Sequence, residues 1–295
     1  MVRPVFREVT LNVQKGNVME SVVYTGTCEL VNTYEILEHV MGMDGLHPHS
    51  LTTIDMLHKK LAAHTIGKKG VVVDIGCGSA HGTHKLSRLL PDGVSVIGVD
   101  VNPDAINKAR ENYSDSSNME FYLGSLEQFC KGHPDLNVIG AFSVSVSMFM
   151  PNTKSFYHAV HEMLADGGMF IDAPFVFKGE KTTVLRETFK KKTYAVCGCN
   201  MKMSTTNELY GFMQDTDFKK IETSENEFEL MNMSILFHDY SPVKLISSFI
   251  KNIFVPPSSL GATSTSYLFG RTLEIFSFFM KNRNKYGASE VIGIK

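Results

Sequence analysis

The feature that most constrains the fold is the stretch VVVDIGCGSAHGTH, at residues 71–84. A short run of valines ends in an acid, Asp74, and Gly76 and Gly78 follow it closely. Such a run is typical of a strand buried on both faces of a parallel sheet, and the glycines allow the backbone to turn tightly and approach a ligand. The stretch therefore predicts a strand, loop and helix with a binding site at the carboxyl end of the strand.

The same alternation continues along the chain. Strand-like runs occur at SVIGVDV, MEFYLG, NVIGAFSVSV and GMFIDAPF, and helix-like segments such as PDAINKARENY and TKSFYHAVHEML lie between them. This repeated β-α-β pattern predicts an α/β fold, a Rossmann-like doubly wound sheet of seven strands. We expect a helical N-terminal cap at residues 1–66, the core at 67–225, a helical lid inserted at 226–288 and the last strand at 289–295.

Composition narrows the function classes. The 295 residues are 43% hydrophobic, enough for a full core, and the 29 basic and 31 acidic residues nearly cancel, so nucleic acid is not an expected partner. Five scattered cysteines, an odd number, indicate reduced thiols and an intracellular compartment. The sequence shows no run of signal-peptide or membrane-span type, so we expect a soluble, cytoplasmic protein without a transmembrane segment.

The glycine loop distinguishes between two kinds of ligand. Gly76, Gly78 and Gly82 are spaced one residue too far apart for the dinucleotide fingerprint G-x-G-x-x-G. Asp74 would repel a pyrophosphate but could hold an ammonium group, so a zwitterion suits the site better than a dinucleotide. Asp100 ends the second strand, where an acid can accept hydrogen bonds from both hydroxyls of a ribose.

With these residues in place, DIGCGSA resembles the first motif of class I S-adenosylmethionine-dependent methyltransferases, and the likeness extends over roughly residues 45–225. The small-molecule branch, with ubiquinone-pathway, sterol and phosphoethanolamine methyltransferases, is the most similar. The resemblance implies S-adenosylmethionine as cofactor. It implies cofactor contacts from the loop and from the ends of the following strands, namely Asp74, Gly76, Cys77, Gly78, Asp100, Val101, Ser125, Leu126, Ser143 and Ser145.

Candidate catalytic groups are less defined by pattern. The segment GLHPHS resembles a turn that lies over the methionine end of the cofactor in the family, which makes His47 and His49 candidates for a base or a substrate-orienting role. Further candidates are Tyr24 and Tyr34 from the cap and His238 from the lid. We expect no metal site, because His81 and His84 have no evident third ligand.

The predicted function is methyl transfer to a small, largely apolar metabolite, with carbon or oxygen favoured over nitrogen, because the lid is rich in phenylalanine. An NAD-dependent oxidoreductase and a non-catalytic S-adenosylmethionine-binding partner protein stay open as alternatives. Arsenite methylation is a minor alternative, suggested by thiols at Cys28, Cys197 and Cys199. The amphipathic segment VKLISSFIKNIF leaves peripheral membrane contact and a homodimer interface open.

Overall fold

The structure is a computed structural model. It describes residues 8–15, 18–25, 49–179, 184, 186–188, 190–191, 201–227, 229, 239–254, 270, 273–274, 277–278 and 280–295, and the statements below concern these residues. The candidate residues His47, Tyr34 and His238 and the thiols of Cys28, Cys197 and Cys199 lie outside the described residues.

The strands fall into two sheets. In chain order they are β1 (Glu8–Lys15), β2 (Val18–Thr25), β3 (Gly70–Ile75), β4 (Val94–Asp100), β5 (Met119–Leu123), β6 (Val138–Val144), β7 (Leu164–Ala173), β8 (Phe175–Phe177), β9 (Lys219–Glu227) and β10 (Tyr286–Ile294). The first two pair only with each other, and the other eight form the central sheet.

The helices surround the central sheet. They are α1 (Leu51–His64), α2 (His81–Ser87), α3 (Pro103–Asn112), α4 (Leu126–Gly132), α5 (Thr153–Met163), α6 (Thr206–Asp215) and α7 (Pro242–Phe254), with short 3₁₀ turns at Ser147–Phe149 and Arg283–Lys285. Within the described residues, no helix is both long and apolar enough to cross a membrane.

The central sheet has the order β5-β4-β3-β6-β7-β10-β8, with β9 beside β10. Strands β3 to β7 are mutually parallel, and β10 runs antiparallel to its neighbours β7, β8 and β9. The predicted doubly wound α/β sheet is confirmed, with the short β8 as an addition to the expected seven strands. The last strand begins at Tyr286, three residues before its predicted start.

Two apolar layers hold helices on the two faces of the sheet. Val72 belongs to the layer that includes Leu57 and Leu61 of α1, whereas its neighbour Val73 belongs to the layer that includes Phe129 of α4 and Val160 of α5. Successive residues of a strand point to opposite faces, so a run of valines serves both layers. This accounts for the continuous apolar character of β3.

The N-terminal segment differs from the predicted helical cap. Strands β1 and β2 pair antiparallel from Glu8 with Thr25 to Lys15 with Val18, so residues 8–25 contain a hairpin. The sequences EVTLNVQK and VMESVVYT are rich in β-branched residues, and the Gly16-Asn17 pair between them is a typical hairpin linker. In the described part of residues 1–66, helix is therefore confined to α1.

The chain between β9 and β10 corresponds to the predicted lid insertion. Glu227 pairs with Gly287, so the insertion leaves and re-enters the sheet at the carboxyl edge of the parallel strands. Helix α7 is its longest described element. The division into cap, core and lid stays a prediction.

Candidate cofactor-binding and active site

The site is positioned by a reversal of strand order. From β3 the chain proceeds to β4 and β5 on one side of the sheet, and then returns to place β6 on the other side of β3. The connections on the two sides diverge and open a crevice at the carboxyl ends of β3 and β6, where doubly wound folds bind their ligands. The glycine loop follows β3 at this point, and Ser145 follows β6.

The two loop glycines have different physical roles. Gly76 has a φ of +73°, and a Cβ there would stand 2.3 Å from Cγ2 of Val146, so the loop passes against the end of β6 too closely for a side chain. Gly78 has a φ of +54°, and a Cβ there would meet no atom of the described residues within 4 Å. The backbone at Gly78 therefore borders open space, as a loop that receives a ligand must.

Asp74 is buried beneath this loop. Its Oδ2 accepts a hydrogen bond of 2.5 Å from the Thr83 hydroxyl of α2. Burial raises the pKa of Asp74 to about 6, with the Asp100 carboxylate adding to the rise and the Thr83 hydrogen bond opposing it. A nearby ammonium group would favour the ionised carboxylate. Thr83 was missed by the sequence analysis, although its place in the HGT run after the loop is a usable signal.

Asp100 connects the loop to the next strand. One carboxylate oxygen accepts the Gly78 N–H at 2.8 Å, and the other accepts the Asn102 N–H, also at 2.8 Å. Asn102 in turn caps α3, with Pro103 in its first turn, so the orientation of the acid is set from both sides. A carboxylate offers about four acceptor positions. Two therefore stay available for hydroxyl groups.

Apolar groups flank Asp100 at the same edge. Val101 follows it directly and is 67% exposed, and Leu123, its neighbour at the end of β5, is 44% exposed. Exposed aliphatic side chains beside an acid suit a nucleoside, whose ribose is polar and whose base has apolar faces. The sequence pattern indicates Val101 but not Leu123, because the strand register that pairs Asp100 with Leu123 is a tertiary property.

Ser125 and Leu126, two predicted cofactor contacts, lie at the start of α4. The Ser125 hydroxyl accepts the Gln128 N–H, and the Gln128 side chain accepts the Ser125 N–H, so Ser125 is the N-cap of α4 in a capping box. Leu126 is 6% exposed and packs in the core layer with Phe129. Its side chain is therefore used in packing, and a cofactor contact through its backbone stays a prediction.

The hydroxyl of Ser143 belongs to a buried hydrogen-bond network. It is fully buried and donates a 2.6 Å hydrogen bond to Asp172 of β7, whose other oxygen accepts the Tyr157 hydroxyl of α5 at 2.8 Å. Burial raises the pKa of Asp172, and hydrogen bonds from Ser143, Ser147 and Tyr157 oppose the rise. The network positions the end of β6, and a cofactor contact of Ser143 stays a prediction.

Ser145 has the most unusual environment at the crevice. It is 6% exposed, has a φ of +57°, and its hydroxyl has no hydrogen-bond partner among the residues that the structure describes. Its N–H is tied to the Ala173 carbonyl at the end of β7. Positive φ in a residue with a side chain and an unsatisfied buried hydroxyl both cost free energy, and such costs concentrate at functional sites.

The thiols that the structure describes are poor nucleophiles. Burial is the largest cause of a raised thiol pKa at both Cys77 and Cys130. Cys77 packs against Gly98, where an added Cβ would stand 2.8 Å from its sulfur. Cys77 therefore contributes its backbone and its small size to the loop rather than a thiolate.

His49 lies at the same edge. Helix α1 ends at His64, shortly before β3 begins, and it packs on the sheet through the ring contact of His58 with Phe142. The N-terminus of α1 therefore points to the carboxyl edge. His49 is fully buried there, beside the N-cap Ser50. Of the other candidates, Tyr24 lies in β2, where only the backbone is described.

Two acids of the insertion bind the start of α1. Oε2 of Glu229 accepts the Ser50 N–H at 2.6 Å and the Thr53 hydroxyl at 2.9 Å, and Oδ2 of Asp239 accepts the Leu51 N–H at 2.7 Å. Acids are favoured at a helix N-terminus, because free N–H groups and the helix dipole face them. The insertion is thus joined to α1 directly beside His49.

No metal centre is formed by the residues that the structure describes. No group of three or more potential ligands occurs among them. His81 accepts or donates a 2.9 Å hydrogen bond with the Tyr113 hydroxyl, and His84 stacks on the Tyr113 ring at 4.6 Å. These contacts give both histidines a structural role beside Tyr113.

The described residues fit the implied S-adenosylmethionine. The space beside Gly78 can hold the amino-acid part of the ligand, and Asp100 retains acceptor positions for two hydroxyls. The buried Ser145 hydroxyl has no partner among the described residues, and a ligand could supply one. Asp74 provides the acid for an ammonium group. Each of these features corresponds to a different part of S-adenosylmethionine.

The known proteins that resemble this chain agree with one another in their family. A family model described as a methyltransferase domain matches residues 66–244, more than half of the chain. An arsenite methyltransferase of Halobacterium salinarum is 27% identical over 172 residues, which is 57% of this chain and 42% of the relative.

Solved structures show the same fold. Phosphoethanolamine N-methyltransferase 2 of Haemonchus contortus, in complex with phosphomonomethylethanolamine and S-adenosylhomocysteine, superposes with a TM-score of 0.61 at 13% identity, over 88% of this chain and 56% of that one. An S-adenosylmethionine-dependent methyltransferase of Geobacter sulfurreducens in complex with S-adenosylhomocysteine has the same score and identity, over 90% and 99%. The chain spans about half of the arsenite and phosphoethanolamine enzymes.

Proposed function

The chain belongs to the methyltransferase-domain family, and from this premise we propose that it transfers the methyl group of S-adenosylmethionine to a small, largely apolar metabolite. The observation that carries the proposal is the placement of Asp74 and Asp100 on either side of one glycine loop. A buried acid and a ribose-type acid at the ends of adjacent strands suit an amino-acid nucleoside.

Different described residues would bind different parts of the cofactor. Asp74 would attract the ammonium group, the Gly78 backbone would border the methionine part, and Asp100 would accept the ribose hydroxyls, with Val101 and Leu123 against the base. When bound, S-adenosylmethionine supplies a methyl group made electrophilic by its sulfonium. The protein then mainly has to hold the acceptor in line, and positioning alone can supply several kcal/mol, up to about 7–11, of the barrier.

Buried apolar side chains that follow β6 and β7 in the chain support an apolar acceptor. Directly beyond the ends of β6 and β7 lie Met148, Phe175 and Phe177, and Tyr286 of β10 stacks on Phe177. Phe278 of the insertion also contacts Tyr286, at 6.3 Å between ring centroids. Most of the phenylalanines that predicted an apolar lid lie outside the residues with described side chains.

Charge supports carbon or oxygen methylation over nitrogen. An amine acceptor is favoured where a carboxylate is directed toward it, and the described acids at this edge are instead directed toward donors of the protein. Asp172 accepts from Ser143 and Tyr157, and Glu229 and Asp239 accept from the start of α1. For a hydroxyl or carbon acid, we propose His49 as the base, because its imidazole is buried at this edge.

The test is calorimetric titration of the purified protein with S-adenosylmethionine, S-adenosylhomocysteine and NAD, followed by a mass-shift screen of phenols, alkenes and amines. We expect both sulfur nucleosides to bind, NAD not to bind, and methylated product from an apolar phenol or alkene. Binding of NAD alone would favour the oxidoreductase alternative. Binding of the nucleosides without methylation of any acceptor class would favour a non-catalytic partner protein.

Arsenite methylation is a second candidate, favoured by the curated relative of that name. Among the described cysteines, Cys77 and Cys130 have raised thiol pKa values and are poor ligands for a soft metalloid, so Cys28, Cys197 and Cys199 would have to provide the site. Arsenite with S-adenosylmethionine and a thiol reductant should then give methylated arsenic. Cys197→Ser with Cys199→Ser should abolish it, whereas Cys130→Ser should not.

A further inference from the structure

Helix α7 presents an apolar face to solvent. Val243, Ile246 and Ile250 are 75%, 60% and 52% exposed, and at helical spacing they share one side, while Leu245 on the opposite side is buried. Such a stripe on a helix that is already anchored by another face is unusual in a monomeric soluble domain. The exposed stripe therefore indicates a surface that contacts an apolar partner outside the folded chain.

The charge around this face is basic. The insertion at residues 226–288 carries six basic residues and four acids, and three of the acids precede α7. From Pro242 to Ala288 the same six basic residues are accompanied by one acid, Glu274. Lys244 and Lys251, both exposed, lie on the flank of the apolar stripe. A basic helix and the basic segment that follows it are attracted to an anionic surface.

The helix also lies near the site. The insertion leaves the sheet at the carboxyl edge, and Asp239, shortly before α7, is hydrogen bonded to the start of α1 beside His49. A surface that binds α7 would therefore face the edge of the sheet where an acceptor approaches.

We propose that α7 docks this edge of the protein onto an anionic phospholipid surface. Val243, Ile246 and Ile250 enter the boundary between headgroups and acyl chains, and Lys244 and Lys251 lie among the headgroups. An apolar stripe with flanking lysines is the pattern of helices that lie in a membrane interface. The attraction involves no cofactor and no turnover, so it is independent of the proposed methyl transfer.

The test is flotation of the full chain, without cofactor, with vesicles of phosphatidylcholine alone and of equal parts phosphatidylcholine and phosphatidylglycerol. We expect flotation with the anionic vesicles, weakened by salt. Ile246→Ser with Ile250→Ser should weaken it about tenfold or more, because both side chains lose burial in the bilayer boundary. Lys244→Glu with Lys251→Glu should also weaken it about tenfold or more.

Matched controls are available on other helices and loops. Ile66→Ser changes an isoleucine that is 71% exposed near the amino edge of the sheet, and Lys59→Glu with Lys131→Glu makes the same change in net charge. Both should float like the unchanged protein. Thermal unfolding checks that each variant is folded. We expect all of them to fold, because the substituted side chains are exposed.

Three results would overturn the proposal. The unchanged protein could fail to float with anionic vesicles, or the Ile246 and Ile250 variant could float as well as its Ile66 control. Light scattering could also show that the unchanged protein is a dimer and that this variant is a monomer, which would assign the face to a second copy of the chain.

Discussion

The carboxylate of Glu229 accepts hydrogen bonds from the Ser50 N–H at 2.6 Å and from the Thr53 hydroxyl at 2.9 Å. It therefore stabilises the first turn of α1 from a segment 179 positions later in the sequence. His49 immediately precedes this turn, so the same contact sets the position of the proposed base.

Removal of this carboxylate should cost stability. Glu229→Ala leaves the Ser50 N–H and the Thr53 hydroxyl without their acceptor. Asp239 still accepts the Leu51 N–H, and we expect the free energy of unfolding to fall by about 1–2 kcal/mol. Glu222→Ala is the control, because Glu222 pairs with Lys60 of the same helix on an exposed surface and should cost less than about 0.5 kcal/mol. Urea denaturation measures both, and equal losses would contradict the capping role.

Asp100 should control nucleoside affinity. Asp100→Asn removes the charge and one acceptor, so binding of S-adenosylhomocysteine should weaken at least about tenfold. Asp104→Asn changes a nearby acid in the first turn of α3 and should leave the dissociation constant unchanged. Titration calorimetry compares the two variants. Unchanged affinity in Asp100→Asn would remove the ribose assignment.

Cofactor affinity should depend on pH through Asp74. Its pKa in the free protein is raised to about 6, so the neutral acid is favoured below that value and the carboxylate that attracts an ammonium group is favoured above it. Affinity for S-adenosylhomocysteine should therefore rise as the pH increases through about 6, by up to about tenfold per unit below it. Asp74→Asn should bind more weakly and lose this slope. A slope that persists in the variant would assign it to another group.

The two loop glycines should separate stability from binding. Gly76→Ala places a Cβ 2.3 Å from Val146 at positive φ, so it should lower the free energy of unfolding by about 3 kcal/mol or more. The Cβ added by Gly78→Ala meets no atom of the described residues within 4 Å. The free energy of unfolding should therefore fall by only about 1 kcal/mol, the cost of a side chain at positive φ. The substitution should nevertheless weaken cofactor binding, because the methyl group enters the open space. Thermal unfolding and calorimetry together distinguish the two effects.

Ser145 should show a trade between stability and function. Ser145→Gly relieves the strain at a φ of +57° and removes an unpartnered hydroxyl, so it should raise the free energy of unfolding by about 1 kcal/mol. Cofactor binding or turnover should fall. The control Ser147→Ala removes an equally buried serine that is hydrogen bonded to Asp172, and it should destabilise the protein. A Ser145→Gly protein that is more stable and fully active would make the hydroxyl dispensable.

Local sequence patterns are sufficient to predict the central sheet and the glycine loop. Valine-rich runs of strand length, alternating with helical segments, predict strands β3 to β7 because both periods are local properties. Asp74, Gly76, Gly78 and Asp100 were identifiable for the same reason, since their spacing along one β-α-β unit already places them at one edge.

Contacts between side chains of distant segments could not be predicted from local patterns. Ser143 is one example, because the register that pairs it with Asp172 gives its hydroxyl a buried partner on the neighbouring strand. The joining of Glu229 to Ser50 and the neighbourhood of Asp100 and Leu123 likewise depend on strand order and loop path. Such contacts follow from packing across the sheet, which no local pattern of residues encodes.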